Sequence, residues 1–185
     1  MTAIIALGLL WSVQAAAGEL PAEARMKILL RVLTYDRQLE SKADGQSLVL
    51  GIAYDPADPG SQKESQEVSG ALEALSKLTV KGLKLGIAPV PYTGSASIAS
   101  AAQGRRFGAL YICASLARAL PAILEETRRT KTATLGGAEA LAQAGLSVVA
   151  VESGGKGQIL INLKSAEAEG LKLDAGLLRI AHVTR

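Results

Sequence analysis

The chain has 185 residues, of which 49% are hydrophobic, and a formal net charge of +3 at pH 7. So mild a charge on scattered basic residues, with one Phe and one Trp, excludes a dedicated nucleic-acid surface, because basic clusters and aromatic stacking platforms are missing. A single cysteine, Cys113, excludes an internal disulfide framework.

The first residues have the features of an export signal. Met1–Ala17 contains no charged side chain, and an apolar run over Ala3–Val13 leads into the small residues of Gln14–Ala17, which suit signal peptidase. The apolar run is shorter than the roughly 20 residues needed to span a bilayer. We therefore predict a signal peptide over residues 1–17 and one exported domain over residues 18–185 that is not membrane-inserted after cleavage.

Helices and strands are predicted to alternate along the mature chain. Pro21–Arg37 carries apolar side chains at helical spacing, and Leu48–Tyr54 is an apolar run typical of a buried strand. The next helix is predicted to begin at a capping box formed by Ser61 and Glu64. Strands are then expected at Leu83–Val90, Phe107–Cys113 and Thr132–Leu135, and helices at Ser95–Gln103, Leu116–Arg129 (capped by Ser115) and Gly136–Gly145.

The last part of the chain predicts a hairpin followed by a strand and short helical segments. Ser147–Val151 and Ile159–Leu163 flank the turn signal Ser153–Lys156. A helix is expected at Ser165–Glu169, and Gly170 separates it from an amphipathic segment with Leu173, Leu177, Leu178 and Ile180 apolar. The alternation predicts an α/β fold, a single three-layer αβα sandwich with a mostly parallel mixed sheet and a C-terminal hairpin strand.

Candidate ligand-binding residues follow the predicted strands, because doubly wound sheets bind ligands beyond the carboxyl ends of their strands. A rim of this kind is expected around Asp55, Ser61, Tyr92 and Ser115, and its further members are Asp58, Thr93, Ser95 and Cys113. The same residue types are required by turns and helix caps for backbone reasons. Both interpretations stay open.

No constellation predicts catalysis, a cofactor or a metal. Phosphate-binding and dinucleotide-binding glycine motifs are missing from the sequence, and His182 and Cys113 are its only imidazole and thiol. Cys113 is interpreted as a small buried hydrophobe at the end of a strand, with an intermolecular disulfide or a redox-sensitive thiol as the alternative. We predict a protein that is not an enzyme.

Three pieces of the sequence resemble a known family. The C-terminal piece is the most specific, with Ile161–Leu163, Gly170–Leu173 and Leu177–Ala181. The end of the first helix, Leu33–Leu39, and the strand end Val90–Tyr92 are also similar. On these pieces the mature chain resembles the YfiR-like family of small periplasmic proteins of Gram-negative bacteria.

The resemblance implies a periplasmic α/β protein that acts by binding. In the best understood branch, such a protein docks on the periplasmic sensor domain of an inner-membrane diguanylate cyclase and keeps it inactive, which limits cyclic di-GMP and biofilm formation. Sensor kinases are the other implied partners, and homodimers are implied as well. Well-known members carry cysteine pairs, which Cys113 alone cannot form, so redox control by an internal disulfide is not carried over.

A docking surface of this kind predicts an exposed apolar patch. We expect it on the first helix around Leu29, Leu33 and Tyr35, or on the C-terminal segment around Leu177 and Ile180. The alternative function is a periplasmic small-molecule-binding component of a sensing or uptake system, which would use the strand-end rim.

Overall fold

The computed structural model describes residues 20–184, so the predicted signal peptide lies outside the described residues. The strands are β1 (Ser47–Tyr54), β2 (Thr79–Val80), β3 (Leu83–Pro91), β4 (Phe107–Ile112), β5 (Ala133–Gly136), β6 (Val148–Ser153), β7 (Lys156–Asn162) and β8 (His182–Thr184). The α-helices are α1 (Ala22–Leu33), α2 (Pro59–Ala74), α3 (Ala96–Ala101), α4 (Leu120–Thr130), α5 (Glu139–Gln143), α6 (Leu163–Ala168) and α7 (Ala175–Leu178), and 3-10 helices occupy Leu39–Lys42 and Ala114–Ala119.

The strands form one mixed sheet in the order β2-β3-β1-β4-β5-β6-β7-β8. The five central strands from β3 to β6 are parallel, β2 and β7 run antiparallel to β3 and β6, and β8 is parallel to β7. Helices cover both faces, which confirms the predicted αβα sandwich with a mostly parallel mixed sheet and the β6–β7 hairpin.

Two apolar clusters lie on opposite faces of the sheet, because successive side chains of a strand point to opposite sides. Ile52 and Tyr111 belong to the first cluster, with α1, α2 and the C-terminal segment, whereas their neighbours Ala53 and Ile112 belong to the second, with α3, α4 and α5. No helix within residues 20–184 is long and apolar enough to cross a membrane.

The predicted capping box at the start of α2 is wrong. The helix begins at Pro59, and the side chain of Asp58 accepts a hydrogen bond from the amide of Gly60 at 2.9 Å. Proline suits a first helical position because its missing amide has no partner there. The hydroxyl of Ser61 instead accepts a hydrogen bond from the amide of Asp55 at 2.8 Å.

Proline also displaces the start of α4. The stretch predicted as one helix from Leu116 begins as the 3-10 helix Ala114–Ala119, and α4 starts at Leu120 with Pro121 in its first turn. Because proline in a helix interior removes a hydrogen bond and clashes with the preceding turn, the two segments differ in geometry. The predicted cap by Ser115 is therefore not formed.

The C-terminal segment differs from the prediction in one further strand. The amphipathic segment forms only the short helix α7, and His182–Thr184 then pairs with Leu160–Asn162 as the edge strand β8. A three-residue strand leaves too few residues for an alternating pattern, so periodicity does not reveal it.

Candidate binding site

The connections that leave β1 and β4 diverge at the carboxyl end of the sheet. β1 leads to α2 on one face and β4 leads to α4 on the other, which is the topological position where open α/β sheets bind ligands. A cleft of about 340 Å³ lies there, lined by Asp58, Gly60, Ser61, Lys63, Glu64, Glu67, Ala114 and Ser115. Three carboxylates and one lysine make this strand-end cleft acidic.

Glu64 closes the inner end of the strand-end cleft. Its carboxylate accepts hydrogen bonds from the hydroxyl of Tyr111 and from the amide of Ala114, both at 2.8 Å. The buried guanidinium of Arg25 lies 3.8 Å from the Glu64 carboxylate and 5.7 Å from the centre of the Tyr111 ring. The charge of Glu64 is thus balanced by Arg25 on its buried side, and the amide of Ala114 already donates to Glu64.

The position of Arg25 depends on a glycine in the β5–α5 connection. A Cβ atom built on Gly137 would lie 2.0 Å from a guanidinium nitrogen of Arg25, so a larger residue would displace the arginine. Burial, and then the negative charge of Glu64, raise the pKa of Tyr111 well above its ordinary value. Its hydroxyl therefore remains a neutral hydrogen-bond donor to Glu64.

Cys113 lies beside this group without being reactive. The thiol is fully buried, and its pKa is raised first by burial and then by the charge of Glu64. Because the thiolate is the nucleophilic form, a raised pKa keeps the sulfur inert. Within residues 20–184, no group of three or more His, Cys, Asp or Glu side chains is suited to hold a metal ion.

The predicted ligand rim is divided by the fold. Ser61 and Ser115 line the strand-end cleft together, whereas Tyr92 packs half-buried against the second apolar cluster. Asp55 accepts a hydrogen bond from the amide of Ala57 at 2.8 Å, which is a turn interaction. Thr93 and Ser95 line a separate groove beside α3.

The residues at the centre of the cleft were not predicted as a site. Glu64 is predicted as part of a helix-capping box, and Arg25 and Tyr111 are not among the predicted site residues. Two signals were available: Tyr111 is a polar side chain within an otherwise apolar strand, and Arg25 lies one helical turn from Leu29 on the apolar stripe.

The expectation of an exposed apolar patch around Leu29, Leu33 and Leu177 is wrong. All three side chains belong to the first apolar cluster and are at most 1% exposed, because α1 and α7 bury their apolar sides. Tyr35 is half-buried, and Ile180 is 69% exposed.

Two of the motif segments that carry the resemblance contact each other at the amino end of the sheet. We call this contact, between Tyr35–Gln38 and Gly170–Asp174, the clasp. The amide of Arg37 donates to the Lys172 carbonyl, and the amide of Asp174 donates to the Tyr35 carbonyl, both at 3.0 Å. The two segments that resemble the family therefore form a structural contact with each other.

Asp36 is the buried centre of the clasp. Its carboxylate accepts hydrogen bonds from the amides of Gln38 and Lys172, each at 3.0 Å, and pairs with the ammonium of Lys42 at 2.9 Å. The Nζ of Lys81 donates to the Asp36 carbonyl at 2.8 Å. Both charged side chains of the Asp36–Lys42 pair are buried, so each depends on the other.

A second buried carboxylate, Glu169, holds α6 to the amino ends of β5 and β6. It accepts hydrogen bonds from the hydroxyl of Thr127 at 2.9 Å, from the amide of Thr134 at 2.8 Å, and from the hydroxyls of Thr134 and Ser147. Burial raises the pKa of Glu169, and these hydrogen bonds oppose the rise.

Solved structures share the fold at low sequence identity. They include the ABC domain in complex with L-Trp from Streptococcus pneumonia (TM-score 0.58, 16% identity, covering 89% of this chain and 62% of that one). A conserved domain protein from Vibrio cholerae O1 biovar El Tor has a TM-score of 0.60 at 17% identity, with 89% of this chain and 60% of that one covered.

A third similar structure is the ligand-free, open form of a substrate binding protein with adhesive properties from Clostridium difficile (TM-score 0.56, 12% identity, 80% of this chain and 57% of that one). The match thus spans about three fifths of each of these chains. No curated protein sequence matches significantly. The family model described as YfiR/HmsC-like matches residues 22–182, which is most of the chain, and the protein therefore belongs to the YfiR/HmsC-like family.

Proposed function

We propose that the protein is a periplasmic regulator that binds the periplasmic sensor domain of an inner-membrane signalling protein and represses a diguanylate cyclase. The observation that carries the proposal is the family match over residues 22–182, since the family is regulatory and non-catalytic. A cleavable signal peptide over residues 1–17 would deliver residues 18–185 to the periplasm. Repression then requires that the inactive state of the partner binds this protein more tightly than the active state does.

The chemistry of the strand-end cleft supports a binding role. Its central carboxylate is engaged by Tyr111, Ala114 and Arg25, and the nearby thiol of Cys113 is buried and protonated. Neither group has the exposed, activated character that nucleophilic or general-base catalysis needs.

Ile180 is the predicted interaction residue whose side chain is largely exposed. It is 69% exposed, and it lies beside the short edge strand β8. Leu78, at 51%, is the other large apolar side chain that is exposed among the described residues. We propose that Ile180 contributes to the contact with the partner or with a second copy in a homodimer.

The test is capture of the crosslinked, C-terminally tagged protein from envelope membranes, read by mass spectrometry. We expect recovery of one inner-membrane protein with a periplasmic sensor and a cytoplasmic cyclase or kinase domain. Ile180→Asp should reduce either this recovery or self-association measured by sedimentation, and Leu78→Asp, matched in chemistry and exposure, should reduce neither. Recovery of transport components alone would contradict the regulator proposal.

A small-molecule-binding function is the second candidate. It is favoured by the strand-end cleft and by the fold shared with a domain solved in complex with L-Trp and with a substrate binding protein. The acidic lining suits a ligand with an ammonium group. Thermal-shift screening with amino acids and amines tests it: stabilisation lost in Glu67→Gln and Ser115→Ala would support it, and no stabilisation by any of these ligands would reject it.

A further inference from the structure

The outer side of β3 is open beyond β2. β3 pairs along its inner side with β1 from Lys84 to Pro91, whereas on the outer side β2 pairs with Leu83 and Lys84 and its register places Leu78 opposite Leu85. β2 and β3 are the last two strands at one end of the sheet. Within residues 20–184, no strand pairs with the outer side of β3 from Leu85 to Pro91.

The hydrogen bonds at the two ends of β3 show which residues face this open edge. The amide of Lys84 donates to the carbonyl of Gln46 at 3.0 Å, and the amide of Tyr92 donates to the carbonyl of Tyr54 at 2.8 Å. Because alternate residues of a strand direct their backbone groups to the same neighbour, the even-numbered residues between them bond to β1. The odd-numbered residues direct their backbone groups outward.

The four outward-facing residues are of two kinds. Pro89 and Pro91 have no amide hydrogen and offer only carbonyl oxygens, which is a common protection of an edge strand against pairing. Ile87 offers both an amide and a carbonyl, whereas the outward groups of Leu85 face Leu78, the residue before β2. The edge is therefore protected near its carboxyl end, and Ile87 is the outward residue that can both donate to and accept from an added strand.

Two grooves flank this edge, one on each face of the sheet. Beside α2 lies a groove of about 360 Å³, whose lining includes Tyr54, Ser69, Glu73 and Pro89. Beside α3 lies a groove of about 600 Å³, whose lining includes Pro91, Ser97, Ser100 and Ala101. The alternating side chains of an added strand would enter both grooves.

We infer that the open edge of β3 binds an extended segment of a partner protein by strand addition, an inference that rests on the proposed binding function. An antiparallel segment would exchange both hydrogen bonds with Ile87 and would donate to the carbonyls of Pro89 and Pro91. A parallel segment can reach the same groups, through slanted hydrogen bonds that are slightly less stable. The open edge of β3 lies at one end of the strand order, and Ile180 lies beside β8 at the other end, so the two surfaces are independent.

The side chains along the edge define the segment further. Leu85 and Ile87 are half-buried against the first apolar cluster, which favours apolar residues opposite them. Glu73 is the one charged side chain among the described residues that line the groove beside α2, and it is exposed. A Lys or Arg in the segment would therefore be favoured at the position facing Glu73.

A second copy of this chain fits the edge less well. Antiparallel pairing of two β3 strands centred on Gly86 would set Ile87 of each copy opposite Leu85 of the other. In that register, however, β2 of each copy would occupy the space of Ala88 and Pro89 of the other, because β2 lies on the same outer side as the new contact. A foreign segment avoids this collision.

The test compares three variants of the full chain. Ile87→Pro removes an outward amide and leaves the ladder to β1 intact, as Pro89 and Pro91 already do, whereas Ile87→Ala removes the side chain and keeps the amide. Ala88→Pro removes an inward donor and is expected to unfold the protein. If Ile87→Pro folds as poorly as Ala88→Pro, the assignment of the outward residues is overturned.

Binding is measured with linear peptides selected by display on the wild-type protein. We expect them to bind Ile87→Pro roughly tenfold more weakly than Ile87→Ala. They should also slow hydrogen exchange of the Ile87 amide, while the Gly86 amide is slow throughout. Equal binding to both variants, protection elsewhere, or no selected peptide would overturn the inference. Protection that rises with protein concentration alone would assign the edge to a second copy instead.

The membrane capture described above separates this inference from the proposed function. If wild-type protein and Ile87→Pro recover the same sensor protein equally, the regulator proposal stands and the edge is not its contact. If peptides protect the Ile87 amide but no sensor protein is recovered, strand addition stands and the regulator proposal fails.

Discussion

Both ends of the sheet hold buried or half-buried carboxylates, but the surroundings of these carboxylates differ. At the amino end, Asp36 and Glu169 are fully buried and accept hydrogen bonds from amides and hydroxyls of several elements. At the carboxyl end, Glu64 is partly accessible from the strand-end cleft, although its carboxylate already accepts hydrogen bonds from Tyr111 and Ala114. The comparison indicates that the amino end maintains the fold, whereas the carboxyl end can accept contacts from outside.

The largest expected effect is at Asp36. Asp36→Ala leaves the buried ammonium of Lys42 without its carboxylate and removes the acceptor for the amides of Gln38 and Lys172. We expect a loss of about 4 kcal/mol in the free energy of unfolding, measured by urea denaturation. Arg37→Ala, which breaks only the exposed ion pair with Asp174, is the control and should behave like an ordinary surface substitution.

Glu169→Ala should have the next largest effect, a loss of about 3 kcal/mol in the free energy of unfolding. The substitution leaves the amide of Thr134 and the hydroxyls of Thr127 and Ser147 buried without their acceptor. Urea denaturation measures the loss, and exposed Glu167→Ala on the same helix serves as the control. A loss no greater than that of the control would show that the amino end tolerates buried polar groups without hydrogen-bond partners.

Glu169 also predicts a pH dependence. Because burial raises its pKa above the ordinary value of 4.5, the folded protein holds a proton in the window above 4.5 that the unfolded chain has released. The free energy of unfolding should therefore fall as the pH rises through this window, up to the pKa of the folded state. Glu169→Gln cannot ionise and should flatten the slope; an unchanged slope would assign it to another group.

Glu64→Gln should lower the free energy of unfolding by less, about 1.5 kcal/mol. It weakens the hydrogen bonds from Tyr111 and Ala114 because the neutral amide is a poorer acceptor than a carboxylate, but water from the strand-end cleft can replace part of the loss. Glu67→Gln, in the same cleft and more exposed, should be indistinguishable from wild type in urea denaturation. A cost for Glu64→Gln equal to that of Asp36→Ala would remove the distinction between the two ends.

The smallest effect is expected at Cys113 under native conditions. Burial and the charge of Glu64 raise the pKa of its thiol, so maleimide should label it only when the protein unfolds. Labelling in increasing urea, followed by mass spectrometry, should coincide with the unfolding transition. Rapid labelling in the absence of urea would mean that the carboxyl end opens locally.

Local patterns predicted most of the fold, because they depend on few neighbouring residues. The apolar spacing in α1, the apolar runs of β1 and β4 and the glycine turn before β7 all report local geometry. Each of these elements forms, although α1 ends at Leu33 and not at the predicted Arg37. Errors occur where a single residue changes a boundary, as Pro59 and Pro121 do. Strands of two or three residues, β2 and β8, are too short to show periodicity.

The alternation of strands and helices thus determined the αβα sandwich from the sequence alone. Only the tertiary structure decided which apolar side chains are exposed, since periodicity distinguishes the sides of α1 but not what covers Leu29 and Leu33. It also brought together Arg25, Glu64 and Tyr111, which are far apart in the chain and meet because β4 lies beside β1 beneath α2. The open edge of β3 likewise depends on strand order, which is set by packing between distant elements and has no local sequence signal.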